Sequence, residues 1–557
     1  MIASQIPHFA IESSGFVACF GRVTGFRCNI PIELSSKLSI VTITISVCEC
    51  VGAVISRILI TTADDSRLAR TVMPQIPDSH CRCWVTPAVL LGGLFPAVLS
   101  AGDWPQFRGP DGRAVAVSNR PLPQEIGPDQ NVIWRTELPP GHSSPVVVGE
   151  RIYLTGIRDK QKLVTIALDR ASGKLVWERE AEFEKLEEIH PTGSHATPTV
   201  ASDGERVVSF FGSAGLFCHD SEGRLLWQIP LGPFKNDFGS GTSPLIVGDR
   251  VILCQDHDTD SFLMSVDKQT GRIVWRIDRG EFPRNYCTPA IWTVNGRRQI
   301  VVAATLRIVA YDFETGDEIW TVRGVARIVN MSPCPGPDGN LYVATWSPGA
   351  EANDRINTPP FDELVAEADQ DKNGTLAREE LPDGPARQRF TQIDRDKDGQ
   401  ITRQEYDSMR TVFQQARNVV LAIKPGGQGD ITRSHVLWEY TRVIPYCPSP
   451  VVYGEHLYLI KNGGILTVLD IHTGKALKEG RIDATGDYYS SPVAGDGKIY
   501  LLSQRGQLTV LAARDGWDQL SHTDFGEDAY ATPALVDGRI YLRTASHLYC
   551  FGLTQSE

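Results

Sequence analysis

The stretch ALDRASGKLVW, residues 167–177, places Asp169, Gly173 and Trp177 four residues apart. The register returns in SVDKQTGRIVW (265–275) and AYDFETGDEIW (310–320), and HDSEGRLLW (219–227) repeats it with a turn one residue shorter. Each part has a local physical sense. Apolar runs on either side read as strands, Gly allows the positive φ of a tight hairpin, and Asp accepts hydrogen bonds from the turn backbone. Trp offers a large surface for burial against a neighbouring sheet. Two later copies lose it: VLDIHTGKALK (468–478) has Lys478 at the Trp position, and VLAARDGWDQL (510–520) has Leu520.

Working outward, a Ser-Pro or Thr-Pro step leads each unit into two short apolar strands around a Gly/Asp turn. The leading prolines are Pro145, Pro198, Pro244, Pro289, Pro333, Pro450, Pro492 and Pro533. Their spacings are 53, 46, 45, 44, 117, 42 and 41 residues, so a single insertion interrupts eight units. NVIWRTEL (131–138) is a Trp strand without partners of its own, and ATPALVDGRIYLRTASHLYCFG (531–552) holds three strands without a Trp strand. The first strand therefore completes the last sheet, which removes an open edge. The fold expected is all-β, an eight-bladed β-propeller of four-stranded blades with a small α-helical insertion. Its parts are an extension over 1–101, a Pro-rich lead-in strap over 102–130, propeller over 131–346 and 418–557, and the insertion over 347–417.

This register resembles the tryptophan-docking repeat of the pyrroloquinoline quinone (PQQ)-like propellers, which include quinoprotein dehydrogenases and the BamB-type outer-membrane assembly scaffold. The resemblance covers about 131–557 apart from the insertion. It speaks for fold more than for activity, because one fold hosts many functions. DWPQFRGPDG (103–112) resembles the lead-in of exported members. Its reading is a strap packed on the outside of the propeller.

The insertion carries DQDKNGTLAREE (369–380) and DRDKDGQITRQE (394–405). Asp369, Asp371 and Asn373 stand at loop positions 1, 3 and 5, Thr375 at 7 and Glu380 at 12. Asp394, Asp396, Asp398, Gln400 and Glu405 take the same places in the second loop. Calcium needs six to eight hard oxygens, which this spacing of carboxylates and carbonyls supplies, while Gly374 and Gly399 make the sharp turn. Leu376 and Ile401 at position 8 are apolar, as loops paired through a short β-bridge require. Residues 361–368 and 387–393 are expected as entering helices and 404–416 as an exit helix, an EF-hand pair with clipped middle helices. The cofactor expected is Ca2+, as a structural clip or as a switch.

Composition narrows the partners. A net charge of −12 argues against nucleic acid. Twelve cysteines include no CxxC after residue 84, so neither a zinc site nor c-type haem is supported, and buried free thiols are expected. VTPAVLLGGLFPAVLSAG (85–102) has the layout of a secretory signal with Met73 as its start. The apolar stretch 38–62 has Glu49 near its middle, which a membrane span tolerates poorly. The expectation is a periplasmic or secreted monomer without a membrane span in its mature form.

In a four-stranded blade, the loop between strands two and three lies on the face of the inter-blade linkers. The insertion therefore shares that face with residues three before each leading proline: His142, His195, Gly241, Tyr286, Asn330, Cys447, Tyr489 and Tyr530. Arg284, Asn285, Arg327, Asp487 and Asp528 lie nearby. Such a ring reads either as a cradle for a small ligand or peptide, or as groups that satisfy backbone and trapped water. Two functions compete. One is a non-catalytic scaffold binding a protein or another cell-envelope ligand on this face. The alternative is a PQQ-dependent dehydrogenase of alcohols or sugars. Many such dehydrogenases carry adjacent cysteines under the quinone, and this chain has no such pair, so PQQ is not expected. No GxSxG elbow is present either.

Overall fold

The computed structural model describes residues 26–34, 37–50, 53–62, 102–117, 120–159, 161–351, 355, 358–394 and 397–553. The chain divides into two compact units, Met1–Gly93 and Leu94–Glu557. In the first, Phe26–Leu34, Lys37–Cys50 and Ala53–Thr62 pair as an antiparallel sheet. Met73 and the signal read at 85–101 lie outside the described residues. No described helix is long and apolar enough to cross a membrane.

The second unit is an eight-bladed propeller. Blade 1 runs Val146–Val148, Arg151–Arg158, Lys162–Asp169 and Leu175–Glu180, and the meander repeats around the ring. In blade 8 the outer strand is Val132–Glu137, which pairs with His547–Gly552 through Cys550 opposite Trp134. Joining the two ends of the chain in one sheet converts eight separate meanders into a closed ring. In blade 5 the second strand, Leu341–Thr345, and the third, Val419–Ile423, flank the insertion as its spacing predicts.

Tryptophan docking is visible at five seams. The indole N–H groups of Trp134, Trp177, Trp227, Trp275 and Trp438 donate to carbonyls in the next blade's turn at 2.8–3.3 Å. Each ring lies on that turn's glycine, where an added Cβ would stand 2.4–2.9 Å from it. Asp169, Asp267, Asp312 and Asp470 accept from turn N–H groups two and three residues on, as the motif requires. One position is corrected. Opposite Val510 the structure places Ser521, not Leu520, because this hairpin is one residue longer than its counterparts.

A second circumferential feature was not read from the repeat. Ser144, Thr199, Ser243, Thr288, Ser332, Ser449, Ser491 and Thr532 form a ring of hydroxyls at the start of the inner strands. Backbone N–H groups donate to the next blade's hydroxyl at 2.9–3.1 Å around most of the ring. Between blades 4 and 5 the Ser332 hydroxyl is buried without a partner.

The lead-in does not pack on the outside, contrary to its sequence reading. Trp104 pairs with Val147 of blade 1, and the Pro105 carbonyl accepts from Ser202 of blade 2. Arg108, only 1% exposed, donates to the carbonyls of Ser449 and Pro450 before blade 6. Val115 then bridges to Ala494 of blade 7. The strap thus crosses the channel on the face of the Gly149 and Asp496 turns, opposite the insertion. The reason is composition: Trp104, Ala114, Leu122 and Ile126 are apolar and join the main core.

Candidate functional site

The channel face is built from inter-blade linkers, whose backbones the hydroxyl ring fixes from below. Above that ring lies a cavity of about 210 Å³, and Phe107 of the strap lines it. Its upper tier is His142, Thr197, Gly241, Tyr286, Asn330, Cys447, Tyr489 and Tyr530. The structure therefore brings together His142, Tyr286, Asn330, Tyr489 and Tyr530, but not His195. His195 instead points Nδ1 towards Glu187, 4.0 Å away. In blade 2 the ring hydroxyl is Thr199, which follows Pro198, whereas the other seven hydroxyls precede their prolines. A signal existed: counted from the hydroxyls at 199, 243, 288 and 332, the spacings become 44, 45 and 44.

The aromatic side is well defined. His142 stacks on Tyr530 with centroids 4.1 Å apart, and Tyr489 meets Tyr530 at 5.5 Å. Gln504 donates to the Tyr530 hydroxyl at 3.0 Å, and the Tyr286 hydroxyl donates to Asn236 Oδ1 at 2.5 Å. Burial, with the Arg543 charge nearby, pushes His142 down to about 4, so it is neutral at pH 7. Asn330 donates to the Tyr446 carbonyl at 3.2 Å. Tyr446 was missed because it is one residue from the counted position. Of the nearby polar residues, Arg284 is held by Asp237 and Asp258, and the Asn285 side-chain oxygen accepts from Val329 N–H. The Asp487 and Asp528 carbonyls accept from the N–H groups of Gln504 and Ala545, which lie in the hairpins between the second and third strands of blades 7 and 8.

The cavity's polar chemistry is hydroxyl, phenol, imidazole, amide and thiol; its lining residues include no lysine, arginine or carboxylate. The five thiols at 218, 254, 287, 334 and 550 are buried, and Cys447 is partly so.

The insertion carries its own small core, in which Phe361, Leu364, Leu376, Phe390, Ile401 and Tyr406 pack together. Helices form at Phe361–Ala368, Pro385–Gln388, Phe390–Ile393 and Arg403–Gln415, the middle two clipped and kinked at Arg389. Thr402 and Glu405 form a capping box on the last. The loops pair through Leu376 and Ile401. Lys372 and Lys397 at position 4, and Gly374 and Gly399 at position 6, share positive φ, so the loops turn alike.

In loop one, oxygens of Asp369, Asp371 and Glu380 come within 4.8 Å of one another. N–H groups of Ala377 and Gln370 hold the Glu380 carboxyl below its ordinary range. Asn373 Oδ1 accepts from Thr375 N–H, and Thr375 Oγ1 reaches Gln400 at 2.9 Å. In loop two, Asp394 Oδ2 accepts from Gly399 N–H while its buried Oδ1 has no partner. Asp398 accepts from Gln400 N–H, and Glu405 from Thr402. Asp396 lies outside the described residues.

A family model described as outer membrane protein assembly factor BamB matches residues 108–231, 163–328 and 388–557. The outer membrane protein assembly factor BamB of Burkholderia pseudomallei (strain K96243) is 22% identical over 217 residues, 37% of this chain and 51% of that protein. The chain thus spans about half the length of that curated relative. Among solved structures, BamB from Moraxella catarrhalis is similar over 76% of this chain and 99% of its own, at 15% identity and a TM-score of 0.48. Quinohemoprotein alcohol dehydrogenase ADHIIG from Pseudomonas putida HK5 is similar over 82% and 81%, at 14% identity and a TM-score of 0.45.

Proposed function

This chain belongs to the family described as outer membrane protein assembly factor BamB, and we propose from that premise that it is a non-catalytic binding scaffold of the cell envelope. Its channel face receives a protein partner, and its insertion binds calcium as an EF-hand pair. The observation that carries the reading is the channel itself. It is blocked on one face by the strap, and open on the other through a tier of aromatic and polar side chains. A photo-crosslinking residue at Tyr530 is expected to capture a partner in envelope extracts, and one at Leu226 on the rim is not. Adducts from the rim alone would overturn the assignment of the binding face.

Calcium binding is supported by the converging oxygens of Asp369, Asp371 and Glu380 and by the orphaned Asp394 oxygen, which a cation would satisfy. Loop two offers four carboxylates, Asp394, Asp396, Asp398 and Glu405, against three in loop one, and should bind more tightly. Calorimetry on chelator-stripped protein should show two sites, both lost on Asp369→Ala with Asp394→Ala. Flat heats for the parent chain would reject the calcium reading. Incubation with PQQ and calcium should give no dye reduction by alcohols or sugars, and turnover would return the dehydrogenase alternative.

A further inference from the structure

A second groove, of about 350 Å³, lies between the channel mouth and the insertion. It shares Phe238, Tyr286, Asn330 and Tyr446 with the channel cavity, so the two form one continuous slot. Three segments distant in sequence each bring a guanidinium to it: Arg284, Arg327 and Arg389. Asp237 is the one carboxylate among its lining residues, and both it and Asp258, whose side chain is buried behind the lining, engage Arg284.

Arg389 stands apart in its surroundings. It occupies the kink between Pro385–Gln388 and Phe390–Ile393, and its side chain donates to the Pro385 carbonyl at 3.4 Å. Among the described residues it forms no ion pair, yet its guanidinium is partly buried. Its charge lies 5.4 Å from the Phe413 ring, which Arg327 meets at the same distance. Burial, and then the Arg284 charge, lower its pKa from the usual arginine value. A half-buried guanidinium without an ion-pair partner among the described residues is relieved by an anion. Arginine suits a carboxylate there because its planar donors match the two oxygens. The groove is basic although the whole chain carries −12. An acidic ligand is therefore attracted locally and repelled elsewhere.

We propose that this groove seats a carboxylate side chain of an extended acidic segment on the protein partner, with the adjoining aromatic mouth taking the neighbouring side chain. The proposal rests on the channel face being the partner surface. It adds the chemistry that selects the partner.

The probe is a fluorescein-labelled decapeptide of alternating glutamate and tyrosine, with a glutamine–tyrosine twin, titrated with the full chain and read by anisotropy. The glutamate peptide is expected to bind about tenfold tighter than its twin, and Arg389→Gln should remove most of that advantage. Arg389→Gln should weaken the glutamate peptide more than the twin, and Arg389→Lys should keep part of the advantage. Equal binding of both peptides, or an advantage that survives Arg389→Gln, overturns the carboxylate site while Tyr530 crosslinks keep the channel face as the partner surface. Displacement of the glutamate peptide by equimolar inorganic phosphate would overturn the peptide specificity in favour of a general oxyanion site. Crosslinks from the rim alone would remove the premise instead.

Discussion

Five seams of the propeller are closed by a docked tryptophan and three are not, and the acceptor explains the split. Where the next blade has a regular turn with glycine, the indole lies on it, as Trp227 does on Gly271. Blade 5 replaces that turn with a long connection from 424 to 435, and Trp320 instead donates to Gln299 under the added strand Gly429–Asp430. In blade 8 the corresponding turn does not exist, because the two ends of the chain meet there. Ser521 of blade 7 donates to the Gln124 carbonyl of the strap in its place. Between blades 6 and 7, Lys478 lies 4.2 Å from the Trp517 ring and donates to its carbonyl, so the aromatic group has moved to the accepting side. The decayed repeats are matched to altered partners, not degraded copies.

The sharpest way to break this comparison is to truncate each kind of seam. Trp227→Ala should cost about 3–5 kcal/mol in urea unfolding, as buried aromatics do, while Lys478→Ala should cost less than about 1 kcal/mol. Equal losses would mean that docking does not distinguish the seams.

Acid should loosen the docked side next. His219 is buried beside Trp177, with ring centroids 5.8 Å apart, and burial pushes it down to about 4; His257 is pushed to a similar value. Neutral in the folded chain, both take up protons more readily when unfolded. Their contribution is thus complete above about pH 6.5 and lost as pH falls from there towards 4, by about 1–3 kcal/mol each. His219→Gln should flatten that part of the pH profile. An unchanged profile would place the acid sensitivity elsewhere.

The smallest effect separates backbone strain from docking. Gly271 and Gly296 have φ of +73° and +75°, but an added Cβ meets Trp227 at 2.8 Å only at Gly271. Gly296→Ala should cost about 1 kcal/mol for the left-handed conformation, and Gly271→Ala clearly more. The difference measures the docked contact, and no difference would deny it.

Much of the fold was legible because its signals are local. Turn glycines, Asp side chains and Trp spacing sit within eleven residues, and the insertion is marked by one aberrant gap. Loop pairing through Leu376 and Ile401 followed from apolar residues at matched loop positions. The site was less legible. Counting from Pro198 selected His195, because the blade 2 hydroxyl lies after its proline; Thr197 takes that place in the channel. Phe107 and Arg389 carry no signal in their own neighbourhoods, since each reaches the site from a segment remote in sequence.

By itself, then, the sequence determined the repeat, the number of blades, the closing strand and the place of the insertion, since each is set by hairpins that form within a few tens of residues. The tertiary structure alone decided that the strap enters the channel, which residue of each linker faces the cavity, and that an insertion arginine meets the blade 3–4 linker. Those outcomes depend on burial and charge shared between residues up to several hundred positions apart, such as Arg108 with Pro450. Short-range pattern holds no record of such meetings.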